Sequence, residues 1–108
     1  MIEIKECSEL FADKQCYFGL FEGNKLLDYL EYELEGTRGV IHRIHIQTNQ
    51  PNYWDGLIRG FLNYLLLGNL DTAVLKENTQ DWSEYFNEEG YCDIKKFFEK
   101  GCSSHGKI

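Results

Sequence analysis

The 108-residue chain is sized for one domain, residues 1–108, and its 43% hydrophobic and 15% aromatic content can fill one core. A formal charge of −7 excludes non-specific binding to nucleic acid or to anionic membranes, both of which need a cationic face. Any anionic ligand therefore requires a local pocket.

The N-terminus, MIEIKECSELF, has neither the basic start nor the apolar centre of a signal peptide, and no uninterrupted apolar stretch is long enough to cross a bilayer. The expectation is a cytoplasmic protein. In that compartment Cys7, Cys16, Cys92 and Cys102 are expected as reduced thiols, and their spacing includes no C-x-x-C pair.

Residues 2–6, IEIKE, alternate apolar and charged and predict a short strand, followed by an irregular or helical piece through SELFADK. CYFGLF and LLDYLEYEL, joined by the turn signal EGNK, predict a hairpin. Leu27, Leu30 and Leu34 also fall on one helical face, but the Gly-containing turns on both sides favour the strand. After EGTRG, the run VIHRIHIQ predicts a third antiparallel strand. Strict alternation puts His42, Ile44 and Ile46 on one face, with Ile41, Arg43, His45 and Gln47 on the other.

From Asp55 the period becomes helical. Leu57, Ile58, Phe61, Leu62, Leu65 and Leu66 form a broad apolar stripe, with Asp55 as N-cap and Gly68 and Asn69 as the stop. DTAVLKE then predicts a short strand, and strand, helix, strand is a crossover to a parallel neighbour. The last part opens with a short helix, for which Asp81 and Glu84 form a capping-box variant and Gly90 a stop. YCDIKKFFEKG suits either a strand or a helix, and the polar tail CSSHGKI is expected to fray.

This order, and the segment ENTQDWSEYFNEEGY in particular, resembles the core of the GNAT-type N-acyltransferases. In that superfamily the fourth strand splays from its neighbour, the following turn holds the pyrophosphate of acetyl-coenzyme A, and a later helix ends YxxxGF. The resemblance covers about two thirds of the chain, with Asn78 at the approach to that helix and Gly90 and Tyr91 at its end. It implies an α+β fold with a mixed, mostly antiparallel sheet, one long central helix and a shorter C-terminal helix. It also implies acyl transfer from acetyl-CoA to an unidentified amine.

The family turn reads Q/R-x-x-G-x-G/A, with small residues where backbone amides close on the diphosphate at a helix N-terminus. Aligned on the helical stripe, Tyr53 takes the Gln/Arg position, Gly56 the first small position and Ile58 the second. Aligned on Pro51-Asn52-Tyr53, Leu57 and Arg59 take the small positions. The resemblance thus implies a cofactor set of Ile46, Gln47, Trp54, Asp55, Gly56, Leu57, Ile58, Arg59 and Asn78. A main-chain amide at the end of the fourth strand would polarise the thioester. Trp54 and Asp55 are bulkier and more acidic than the family turn, and the acceptor side is short, with some ten residues where the family has two covering helices.

Acyl transfer from a thioester needs a deprotonated amine and a proton for the departing thiolate. The family acid, a tyrosine four residues before the glycine, falls on Phe86 here, so Tyr85 can take the role only where the helix is irregular. His42 and His45 suit a base near neutral pH, and on opposite faces at most one would meet the acceptor. Glu31 and Glu33 are alternative bases through a water. No metal site is expected, because Cys102-x-x-His105, with Cys92 or Cys16, has no partnering motif at zinc spacing.

The alternative from another class is a catalytically silent GNAT-like interaction or ligand-binding module. In that case exposed sheet edges would favour a homodimer.

Overall fold

The computed structural model describes residues 1–76 and 82–99. Six strands form one sheet in the order of the chain: β1 (Ile2–Glu6), β2 (Cys16–Glu22), β3 (Lys25–Glu35), β4 (Arg38–His45), β5 (Thr72–Leu75) and β6 (Tyr91–Asp93). All neighbours are antiparallel except β4 and β5, which run parallel because helix α1 (Pro51–Leu67) carries the chain across between them. A single 3₁₀ turn, Ser8–Leu10, stands where the acceptor-side helices were expected to be reduced. The ambiguous segment after Gly90 is both strand and helix, since β6 runs directly into a helical stretch over 94–99. The sheet is thus mixed and mostly antiparallel, with one long helix and one short C-terminal one.

α1 lies on one face of the sheet and buries the apolar stripe read from its sequence. Leu57, Ile58, Phe61, Leu62 and Leu65 are fully buried against Phe18, Leu20, Leu30, Tyr32 and Ile41. Each such side chain contributes about 1.5–3 kcal/mol of transfer free energy, which makes this layer the main source of stability. Close approach is possible because Gly56 and Gly60 face β1. A Cβ on Gly60 would stand 2.8 Å from Ile4 Cγ2, and one on Gly56 3.2 Å from Ile4 Cδ1. The other face carries a smaller cluster of Cys7, Tyr17 and Phe21 with Phe11, Leu26 and Tyr29 around it.

α1 starts five residues earlier than expected, with Gln50 and not Asp55 in the N-cap position. Pro51 is its first residue, where the fixed φ suits a helix and the missing N–H is one no helix start uses. Asp55 is therefore not the N-cap but sits in the second turn. The expected stop holds: Gly68 is the C-cap, and Asn69 takes a left-handed φ of 65°, so that the Leu70 N–H can return to the Leu65 carbonyl.

The short helix expected to open the last part does not form among residues 82–90, which are successive turns. Asn87 is the reason: its side-chain oxygen accepts from the amides of Glu89 and Tyr91, and this pulls the chain out of helical phase into β6. Asp81 and the tail with Cys102 and His105 lie outside the described residues. Among the described residues no helix is long and apolar enough to cross a membrane.

Candidate active site

The parallel pairing of β4 and β5 is short. It runs from Arg38 opposite Thr72 to Ile41 opposite Leu75, and closes with the Lys76 N–H on the Ile41 carbonyl at 2.9 Å. β4 itself continues to His45, paired only with β3 among the described residues. From His42 onward nothing among the described residues pairs with β4 on its β5 side, beside the start of α1.

A β-bulge marks the same place. Glu31 pairs with Arg43 and Tyr32 with Ile41, so His42 is the extra residue and has no register position opposite it on β3. The bulge resets the alternation on which the facing of this strand had been read. Ile41 and Ile44 both turn to the α1 core, whereas His42 and His45 share the outer face. His42 Nε2 lies 2.9 Å from Glu33 Oε1, and the His45 ring stacks on Tyr29 with centroids 4.4 Å apart. Because Tyr29, Glu31 and Glu33 alternate along β3, all four candidate bases lie on one surface. The expectation that the two histidines point to opposite faces is thereby corrected.

Tyr85 is on the α1 side. The turn that replaces the expected helix buries Phe86 in the core and directs the Tyr85 hydroxyl to the Asp55 carboxylate. Burial first, and then that hydrogen bond, pushes the hydroxyl well above the usual tyrosine range. Asp55 also holds Arg59 Nε at 2.8 Å, and the guanidinium lies over the Phe97 ring. Beside this group is a cavity of about 500 Å³ walled by Asn52, Trp54, Asp55, Arg59, Trp82 and Tyr85. A cavity of similar size lies beside β5, walled by Lys76, Phe86 and Gly90, and shares Trp82 with the first.

The link between β4 and α1 rests on a residue that sequence reading passed over. Asp28, fully buried, accepts from the Gln47 amide at 2.7 Å, the Thr48 amide at 3.1 Å and the Thr48 hydroxyl at 2.7 Å. The Trp54 indole N–H donates in turn to the Thr48 carbonyl and hydroxyl, each at 3.1 Å. An aspartate at an inward position of an apolar strand was the available signal. A buried carboxylate needs such donors, and two loop amides supply them.

The cofactor residues taken from the resemblance separate into groups. Ile46 packs against the core and Gln47 gives its amide to Asp28, both at the mouth of α1. Trp54, Asp55 and Arg59 border the cavity. Gly56, Leu57 and Ile58 lie inside α1 and face the sheet. Asn78 lies outside the described residues. No side chain caps the helix start.

No family sequence model matches the chain, and no curated protein sequence matches it. Solved structures do. The ribosomal-protein-S18-alanine N-acetyltransferase from Escherichia coli superposes with a TM-score of 0.61 at 9% identity, over 93% of this chain and 76% of that one. The PaiA N-acetyltransferase from Thermoplasma acidophilum, solved in complex with coenzyme A, gives 0.51 at 12% identity, over 79% of this chain and 48% of that one. The fold is that of the GNAT-type N-acyltransferases.

Proposed function

We propose that the chain is an acyl-CoA-dependent N-acyltransferase that moves an acetyl group to an amine. The observation that carries this reading is that, among the described residues, the β4–β5 pairing ends at Ile41 and Leu75, at the mouth of α1 and beside a row of candidate bases. The coenzyme A complex of the Thermoplasma acidophilum neighbour supports the choice of donor.

The residues present fit such a donor at the mouth of α1. The helix start has no side-chain cap; Pro51 has no N–H and the Tyr53 and Trp54 amides donate to the Gln50 carbonyl, so the Asn52 amide and the positive dipole end are what the first turn offers a diphosphate. Because α1 begins at Pro51 and Asp28 takes the Gln47 and Thr48 amides, this contact falls on the amides of Asn49, Gln50 and Asn52. Trp54 and Arg59 form the adjoining wall, and Gly56, Leu57 and Ile58 are left to packing. Bound acetyl-CoA supplies an activated thioester carbonyl. Since Asp28 uses the Gln47 and Thr48 amides, the polarising amide belongs to the part of β4 before Gln47.

On the outer face His42 or His45 accepts the amine proton. On the other side, the Tyr85 hydroxyl is a poor donor to a thiolate. A thiol ordinarily ionises near ~8.5 and a tyrosine near ~10, and here the tyrosine is raised further. A water relays to the thiolate the proton that the nitrogen loses as the amide forms, and Tyr85 with Asp55 fixes the cavity wall.

Thermal unfolding with acetyl-CoA tests the reading. At a hundredfold excess over Kd, a stabilisation of about 2.7 kcal/mol is expected. No change in Tm at millimolar acetyl-CoA would remove the proposal.

A further inference from the structure

We propose, on the basis of the transferase reading above, that Glu33 is a positioning residue that selects His42 as the general base for the acceptor amine. Three independent features meet at this pair. His42 is the extra residue of the β4 bulge, so its side chain is freed from the cross-strand register. It is also, among the described residues, the first β4 residue beyond the last pair with β5. Finally, Nε2 is within 2.9 Å of Glu33 Oε1.

The other carboxylates along the outer face of β3 have other neighbours. Glu35 accepts from Arg38 at 3.2 Å, and Glu31 sits opposite Arg43 in the register. Glu33 is the one that meets a histidine. An ionised carboxylate can only accept, so the shared proton resides on Nε2 and the Nδ1 lone pair is left to take a proton. His45 has a different environment. Its ring lies on Tyr29 at 22° between planes, a contact that orients the imidazole without choosing a tautomer.

The step balances as follows. The ammonium proton of the acceptor passes to His42 Nδ1, and the freed nitrogen forms its bond to the thioester carbon. The C–S bond breaks with its electron pair on sulfur, and the second proton, which the nitrogen loses as the amide forms, passes through a water to the thiolate. Glu33 stays ionised throughout and stabilises the imidazolium that forms.

The test is thiol release from acetyl-CoA with two nucleophiles near neutral pH: glycinamide, largely protonated, and hydroxylamine, largely neutral. His42→Gln is expected to lower kcat with glycinamide by ~100-fold, and Glu33→Gln by ~10-fold, with the KM for acetyl-CoA and the hydroxylamine rate unchanged. Glu33→Asp should recover part of the loss, and Glu35→Gln, which removes the same charge from the same face, should have no effect. Nitrogen NMR of the imidazoles should find His42 with its proton on Nε2 in the wild type. Equal losses with both nucleophiles, no loss in Glu33→Gln, or a proton on Nδ1 would each overturn the assignment. If the wild type neither binds nor consumes acetyl-CoA, the transferase reading falls and the assignment with it. Binding and turnover that His42→Gln leaves intact would keep the reading and discard the assignment.

Discussion

The Tyr85 hydroxyl donates to the Asp55 carboxylate and so ties the turn before β6 to the second turn of α1. Tyr85→Phe removes this bond while keeping the ring against Trp82 and Phe97, so a loss of about 1 kcal/mol in urea unfolding is expected. The hydroxyl is raised by burial and then by Asp55, so the folded state holds its proton more tightly than the unfolded chain. Its contribution is complete below the ordinary tyrosine value near ~10 and is lost as pH rises above it. A tyrosinate absorbance titration of Tyr85→Phe should lack one late-ionising group.

Cys7 and Cys92 give a second alkaline signature. Burial pushes both thiols from 9.0 up to about 11, helped by the charge of Glu6 near Cys7 and of Asp93 near Cys92. The raised value means that stability is full below pH 9.0 and falls as pH rises toward 11. The slope is up to ~1.4 kcal/mol per pH unit for each thiol. The double replacement Cys7→Ala and Cys92→Ala should flatten Tm against pH over this window, whatever it costs at neutral pH.

The helix glycines predict opposite outcomes for one substitution. At Gly60 an added Cβ meets Ile4 Cγ2 at 2.8 Å, beside the branch point of a β-branched side chain, so Gly60→Ala is expected to destabilise by about 1–3 kcal/mol. At Gly56 it meets the flexible Ile4 Cδ1 at 3.2 Å, and the helix preference for alanine, up to ~1 kcal/mol, offsets the contact. Chemical denaturation of the two variants compares them directly. Gly56→Val, which reads from sequence as a block to the diphosphate, is expected here to lift α1 from β1.

Asp28→Ala would leave two amides and a hydroxyl without their buried acceptor, and a loss of about 2–4 kcal/mol is expected. Asp28→Asn retains one carbonyl oxygen at the same place and should cost much less. Equal losses in urea unfolding would show that charge, and not acceptor count, holds this junction together.

The three-strand meander β2 to β4, the parallel crossover and the buried face of α1 were legible because each rests on a local period: two for the strands and 3.6 for Leu57, Ile58, Phe61, Leu62 and Leu65. The misread parts are those where a tertiary contact replaces the period. The bulge at His42 is set by pairing with β3, and alternation along β4 alone cannot contain it. The start of α1 turned on Pro51, which reads equally as a break before a helix or as its first residue. The Tyr85 turn depends on two amides that Asn87 captures, and Glu84, the second half of the supposed capping box, could not outweigh them.

Strand order that copies chain order has a kinetic consequence. From β1 to β4 each new pairing closes only a short loop, so the entropy lost at each step is small and the meander can assemble by zipping outward from either hairpin. The exception is the β4–β5 pair, which must wait until the whole of α1 has been laid down and docked. The half of the molecule that would recognise an amine can therefore exist before the half that would hold the donor, and the junction ahead of His42 is the last seam to be drawn.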